Sequence, residues 1–125
     1  MVELLVKKKA ALKELGKFFA LAGENVPDLM MPNSFIDEEW HAMLNDSETY
    51  EKFCLQHAGT LLKHEPSGGV DEFTWVKNYE QKYGKLNIIW FIDSSGTFNE
   101  KAYEEYIKNG IVKMSWDCKP ANLHT

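Results

Sequence analysis

At 125 residues the chain is long enough for one domain with a real core and too short for two independent ones. Hydrophobic residues at 44% and charged residues at 26% exclude a disordered chain, and aromatics at 13% imply a ring-rich core or interface. A net charge of -5 argues against unspecific nucleic-acid binding, and no apolar run approaches the length needed to cross a bilayer.

The first element, residues 1–23, reads as a helix. Leu4, Ala11, Leu15, Phe18 and Ala22 recur at helical spacing and form one buried stripe, with the lysines and Glu14 on the wet side. The run Lys7-Lys8-Lys9 belongs to that solvated face. Gly16 either weakens the middle by roughly 1 kcal/mol relative to Ala or permits close helix packing, and Gly23 is a natural stop. Asn25 to Asn33, with Pro27 and Pro32, is a loop whose Leu29, Met30 and Met31 should tuck inward.

Residues 34–66 read as a helical hairpin. Ser34 is the expected N-cap, with Asp37 and Glu38 in the dipole-favoured first turn and Phe35, Ile36, Trp40, Met43 and Leu44 along the helix. Asn45-Asp46-Ser47 breaks it, and Asp46 or Ser47 caps the next helix, whose apolar stripe is Tyr50, Phe53, Cys54, His57, Ala58 and Leu61. Such an αα-hairpin would bring His41 near the Tyr50–Cys54 face. Pro66-Ser67-Gly68-Gly69 ends the unit.

Residues 71–120 form the third part, a helix plus an extended C-terminal stretch. Asp71 to Tyr83 has Phe73, Val76, Tyr79 (or Glu80) and Tyr83 at helical spacing, and Leu86 to Ile92 reads as a buried extended segment. After Ser94-Ser95-Gly96, a short helix starts at Asn99 or Glu100, carries Ala102, Tyr103, Tyr106 and Ile107 inward, and closes at Asn109-Gly110. Val112, Met114, Trp116 and Cys118 then alternate with Lys113, Ser115 and Asp117. The expected architecture is a single domain over 1–125, mainly α, with about five helices and a small two-strand element near Ile88–Ile92 and Val112–Trp116. An α+β sheet is the alternative.

Chemistry-bearing residues concentrate between Ile36 and Pro66, where three of the four histidines and one of the two cysteines sit. Each has a plain structural use: His41 can hydrogen-bond Asp37 one turn back, Cys54 can fill an apolar face, and His64 can sit at a helix end. Together, His41, Cys54 and His64 offer one thiolate and two imidazoles to Zn²⁺, with His57, Cys118 or water as the fourth ligand. Cys54 and His57 share a helix face. The competing reading is catalytic: Cys54 as nucleophile with His41, His57 or His64 as base, and Asp37 orienting the histidine. Cys54 lies mid-helix without a glycine-rich oxyanion turn, which disfavours this use, and Gly68-Gly69 lacks the flanking pattern of a phosphate loop.

The run Ile36-Asp37-Glu38-Glu39-Trp40-His41, followed by Tyr50-Glu51-Lys52-Phe53-Cys54, Gly59 and His64-Glu65-Pro66, resembles the core motif of the glycine-rich-domain-containing proteins. These are plant proteins with a domain of unknown function, together with uncharacterised bacterial relatives. Tyr83-Gly84, Trp90-Phe91 and Ser115-Trp116-Asp117-Cys118 are similar to the downstream part of the bacterial type. Where many relatives carry additional histidines, this chain has Met43 and Lys63. A metal site must therefore do without them. The resemblance implies a fold and a site, and no reaction.

The amino terminus, Met1 to Val6 before the lysines, is too short and has the wrong charge order for a secretory signal, and two distant cysteines make no disulfide framework. The expectation is a cytoplasmic domain with reduced thiols. Its role is a non-enzymatic one through protein–protein contact, with the His/Cys cluster as core or Zn²⁺ site and no nucleic-acid or membrane partner. A small enzyme using Cys54 is the alternative.

Overall fold

Helix α1, Val2–Gly23, is the spine against which the next two helices, the helix at 75–83 and the coil at 88–91 pack. The computed structural model describes residues 2–122. Ala11, Leu15 and Phe18 are buried as the periodicity requires, joined by Phe19 and Leu21; the side chain of Leu4 lies outside the described residues. Two adjacent aromatics face different neighbours. The Phe18 ring meets Trp75 edge-on at 5.2 Å, and the Phe19 ring meets Trp40 at 5.1 Å. Glu14 corrects the sequence reading: it is 1% exposed rather than wet. A charged group tolerates that burial because its carboxylate accepts from Tyr79, Trp90 and Lys17.

Helices α2, Ser34–Leu44, and α3, Ser47–His57, form the expected αα-hairpin. The cap of α2 is Asn33 rather than Ser34. Asn33 Oδ1 accepts from the Ile36 amide at 2.8 Å, while Ser34 Oγ accepts from the amide of Ser94. Asp46 caps α3 through the Thr49 amide. The hairpin closes tightly on α1 at two glycines. A Cβ on Gly16 would lie 2.7 Å from the His57 ring, and one on Gly23 would overlap the Ala58 carbonyl.

Strand β1, Leu62–Glu72, pairs antiparallel with β2, Lys113–Asn122. This overturns three expectations. Pro66-Ser67-Gly68-Gly69 does not end a unit but lies within β1, where the register shifts between Pro66 and Gly69. The two glycines let the strand bulge and approach Trp116 closely, since a Cβ on Gly69 would sit 3.3 Å from its indole nitrogen. Asp71 and Glu72 belong to β1, and the next helix, α4, runs only over Trp75–Tyr83. The third correction concerns Ile88–Phe91, which is a 3-10 helix, not a strand. Asn87 accepts from the Ile89 amide, and the Asn33 side chain donates to the carbonyls of Ile89, Trp90 and Ile92, so the coil is held by side-chain amides instead of a ladder. Only Ile92 makes a bridge, with Phe98.

Helix α5, Glu100–Asn109, is capped by Asn99 and stopped by Gly110 in the left-handed conformation at φ 71°. Its Tyr106 hydroxyl donates to Glu80 and accepts from the Leu86 amide, which ties α5 to α4. The described residues thus make five α-helices and one two-stranded antiparallel ribbon: a mainly helical domain in which the α+β alternative covers the ribbon. No helix among the described residues is long and apolar enough to cross a membrane.

Candidate metal centre

Three elements converge on the first turn of α2. Asn33 and the helix geometry present Asp37 beside the buried face of α2 that carries Ile36 and Trp40, at the edge where the ribbon meets it. From β1 comes His64, whose ring meets Trp40 edge-on at 4.6 Å. The strand is anchored one turn of the pleat earlier, where the Tyr50 hydroxyl accepts from Trp40 and donates to the Leu62 carbonyl. From β2 comes Cys118, placed by its pairing with Pro66 and by a backbone bond from the Met31 amide to its own carbonyl at 2.9 Å. From Lys113 to Cys118 the even-numbered residues are the more buried ones, so the alternation seen in the sequence delivers the thiol to Asp37.

Asp37 is the hub. Its Oδ1 lies 3.2 Å from His64 Nε2 and accepts from Cys118 Sγ at 3.1 Å. Its Oδ2 lies 3.2 Å from His41 Nε2, and the His41 and His64 rings meet edge-on at 4.3 Å. The side chains of Asp37 and His64 are 19% and 12% exposed, whereas that of His41 is 57% exposed. Burial, then the hydrogen bond and negative charge of Asp37, then the charge of Asp117, push the Cys118 thiol well above its usual range. Alone, this cysteine is a poor thiolate nucleophile.

Asp37, His64 and Cys118 place one oxygen, one nitrogen and one sulfur within 4.8 Å of one another, the only such group of three among the described residues. Bonds of about 2.0–2.1 Å to oxygen and nitrogen and about 2.3 Å to sulfur at tetrahedral angles put the oxygen about 3.3 Å from the nitrogen and about 3.5 Å from the sulfur, against 3.2 Å and 3.1 Å found, so the thiol must draw back by a few tenths of an ångström to admit an ion.

The structure therefore brings together His41, His64 and Cys118 of the sequence candidates, around an aspartate the sequence offered only as a histidine partner. It leaves Cys54 and His57 outside the group. Cys54 is fully buried on the core face of α3, beside the Tyr50 hydroxyl. His57 packs over Gly16 on the α1 side, where burial lowers its pKa. Cys54 and His57 share a helix face, and that face packs on the core and on α1 instead of on Asp37. Asp37 could have been found as a ligand only by knowing the ribbon register that carries Cys118 to it.

Comparison with protein-family models, with curated proteins and with solved structures gives no significant match to this chain.

Proposed function

We propose that this protein is a small Zn²⁺-binding domain, with Asp37 Oδ1, His64 Nε2 and Cys118 Sγ as ligands. The observation that carries the reading is the convergence of these three atoms within 4.8 Å from three separate elements. Zn²⁺ takes this mixed oxygen, nitrogen and sulfur set, and the deprotonated thiol it requires is stabilised by the ion itself. Bound there, the ion would tie α2 to both strands of the ribbon and add its binding free energy to folding. The ion then supports a fold that acts through protein contact, and nothing in this role closes its fourth position. A cysteine nucleophile is less well supported, because both cysteines are buried and Cys54 lies mid-helix away from the histidine cluster.

We also propose kinship with the glycine-rich-domain-containing proteins. What supports it is that the motif residues Asp37, Trp40, His41, Tyr50 and His64 form one connected patch rather than being scattered.

The test is elemental analysis of protein purified without chelator, set beside Asp37→Asn and Cys118→Ser. One equivalent of zinc in the parent protein, lost in both variants, is the expected result. No stoichiometric transition metal, with a melting temperature indifferent to added Zn²⁺, would leave the cluster as hydrogen-bonded core.

A further inference from the structure

We infer that the ion held by Asp37, His64 and Cys118 keeps its fourth position for an exchangeable small donor, and that His41 is a positioning residue, not a ligand. This rests on the metal-binding reading above. Zinc sites closed by four protein ligands are structural, whereas three protein ligands leave a place for water or a substrate atom. Among the described residues three donor atoms gather here.

His41 is the residue best placed to be a fourth, and its geometry assigns it elsewhere. It does not join the 4.8 Å group: its ring meets that of His64 at 4.3 Å, but its Nε2 faces Asp37 Oδ2 at 3.2 Å, the oxygen that Cys118 and His64 do not contact. A carboxylate oriented through its second oxygen by an outer partner is the usual arrangement behind a metal ligand. His41 and Asp37 are one turn apart on α2, so the contact is preset by the helix. A donor would approach the ion from the Asp37 side: Asp37 is partly exposed and lines a groove of about 700 Å³ shared with Met31, Asp93, Glu100, Met114 and Asp117, whereas His64 and Cys118 do not line it.

The experiment loads the protein with Co²⁺ in place of zinc, follows the visible and thiolate-to-cobalt bands, and titrates azide as the probe. Wild-type protein should show a saturable azide-dependent change in the visible bands with the thiolate band retained. His41→Ala should bind Co²⁺ roughly 10- to 100-fold more weakly, yet give the wild-type spectrum and azide response once fully loaded. His41→Gln, which keeps a donor for Asp37, should recover much of that affinity. Because His41 is largely exposed, unchanged melting of the metal-free variant checks that the fold is intact. Two outcomes overturn the inference: a wild-type spectrum indifferent to azide, or an altered ligand field in fully loaded His41→Ala, which would make His41 a ligand. Failure of the wild-type protein to bind Co²⁺ at all, with no thiolate band, would sink both the metal reading and this one.

Discussion

Glu14 provides the sharpest test of how the core is built. Its Oε1 accepts from the Tyr79 hydroxyl at 2.5 Å and from Trp90 Nε1 at 2.9 Å, and its Oε2 accepts from Lys17 Nζ at 2.9 Å. In Glu14→Ala the Tyr79 and Trp90 donors keep their buried positions and lose their acceptor. Each such group costs about 1–3 kcal/mol, so about 3–5 kcal/mol is expected in total, a large share of the stability of a domain this size. Glu14→Gln preserves an oxygen for both donors and gives up only the charge and the Lys17 partner, at about 1–2 kcal/mol. Urea denaturation followed by tryptophan fluorescence would show both as shifts in midpoint at constant slope. The reasoning fails if the two variants cost the same, since the carboxylate's worth would then lie in its charge. It fails equally if alanine costs less than about 1 kcal/mol, the sign of an exposed side chain.

Other outcomes follow from the same packing. Trp40→Ala, removing a fully buried indole that donates to Tyr50, should cost about 3–5 kcal/mol and is checked by thermal melting. Gly23→Ala should be markedly more damaging than Gly16→Ala, because the first meets the rigid Ala58 carbonyl and the second only the end of the His57 side chain, which can swing aside; comparing their melting temperatures decides it. Burial holds the folded-state pKa of His57 below its unfolded value, so the unfolded chain binds more protons and stability falls as pH drops from 7 through the histidine range. The melting temperature of His57→Gln should therefore decline less between pH 7.5 and 5.5 than that of the parent, and equal declines would remove His57 from the acid response.

Local rules made the helices readable and tertiary pairing hid the strands. The apolar stripe of α1, the break at Asn45-Asp46-Ser47 and the stop at Gly110 are decided by neighbours within one or two turns, so the residues themselves carry the signal. Leu62 to Glu72 carries no such signal. Its residues beyond the first are almost all exposed, and it contains Pro66, Gly68 and Gly69, which locally spell a turn. It becomes a strand because β2, nearly fifty residues later, supplies the ladder. Ile88 to Phe91 fails in the opposite sense. Three consecutive buried residues look extended, yet Asn33, far away in sequence, donates its amide to two carbonyls of the segment and to that of Ile92 just beyond it, and holds it coiled. A buried glutamate is equally illegible: nothing near Glu14 in the chain says that Tyr79 and Trp90 will arrive to satisfy it.

The same division explains the candidate site. His41 against Asp37 is a one-turn contact on a helix and could be read directly. His64 and Cys118 reach Asp37 only through ribbon register, and register is a long-range property. Side chains alternate along a strand, so a slip of one residue in β2 would turn Cys118 away and present Asp117 or Lys119 to Asp37 in its place. Three features pin the register against that slip. The bulge between Pro66 and Gly69 absorbs an offset in β1, Trp116 Nε1 donates to Asp71 Oδ2 at 2.8 Å across the ribbon, and the Met31 amide bonds the Cys118 carbonyl from the other side. The glycines that mimic a turn in the sequence are therefore part of what sets the thiol beside the carboxylate. The candidate site depends on the segment whose local sequence is least like the structure it adopts.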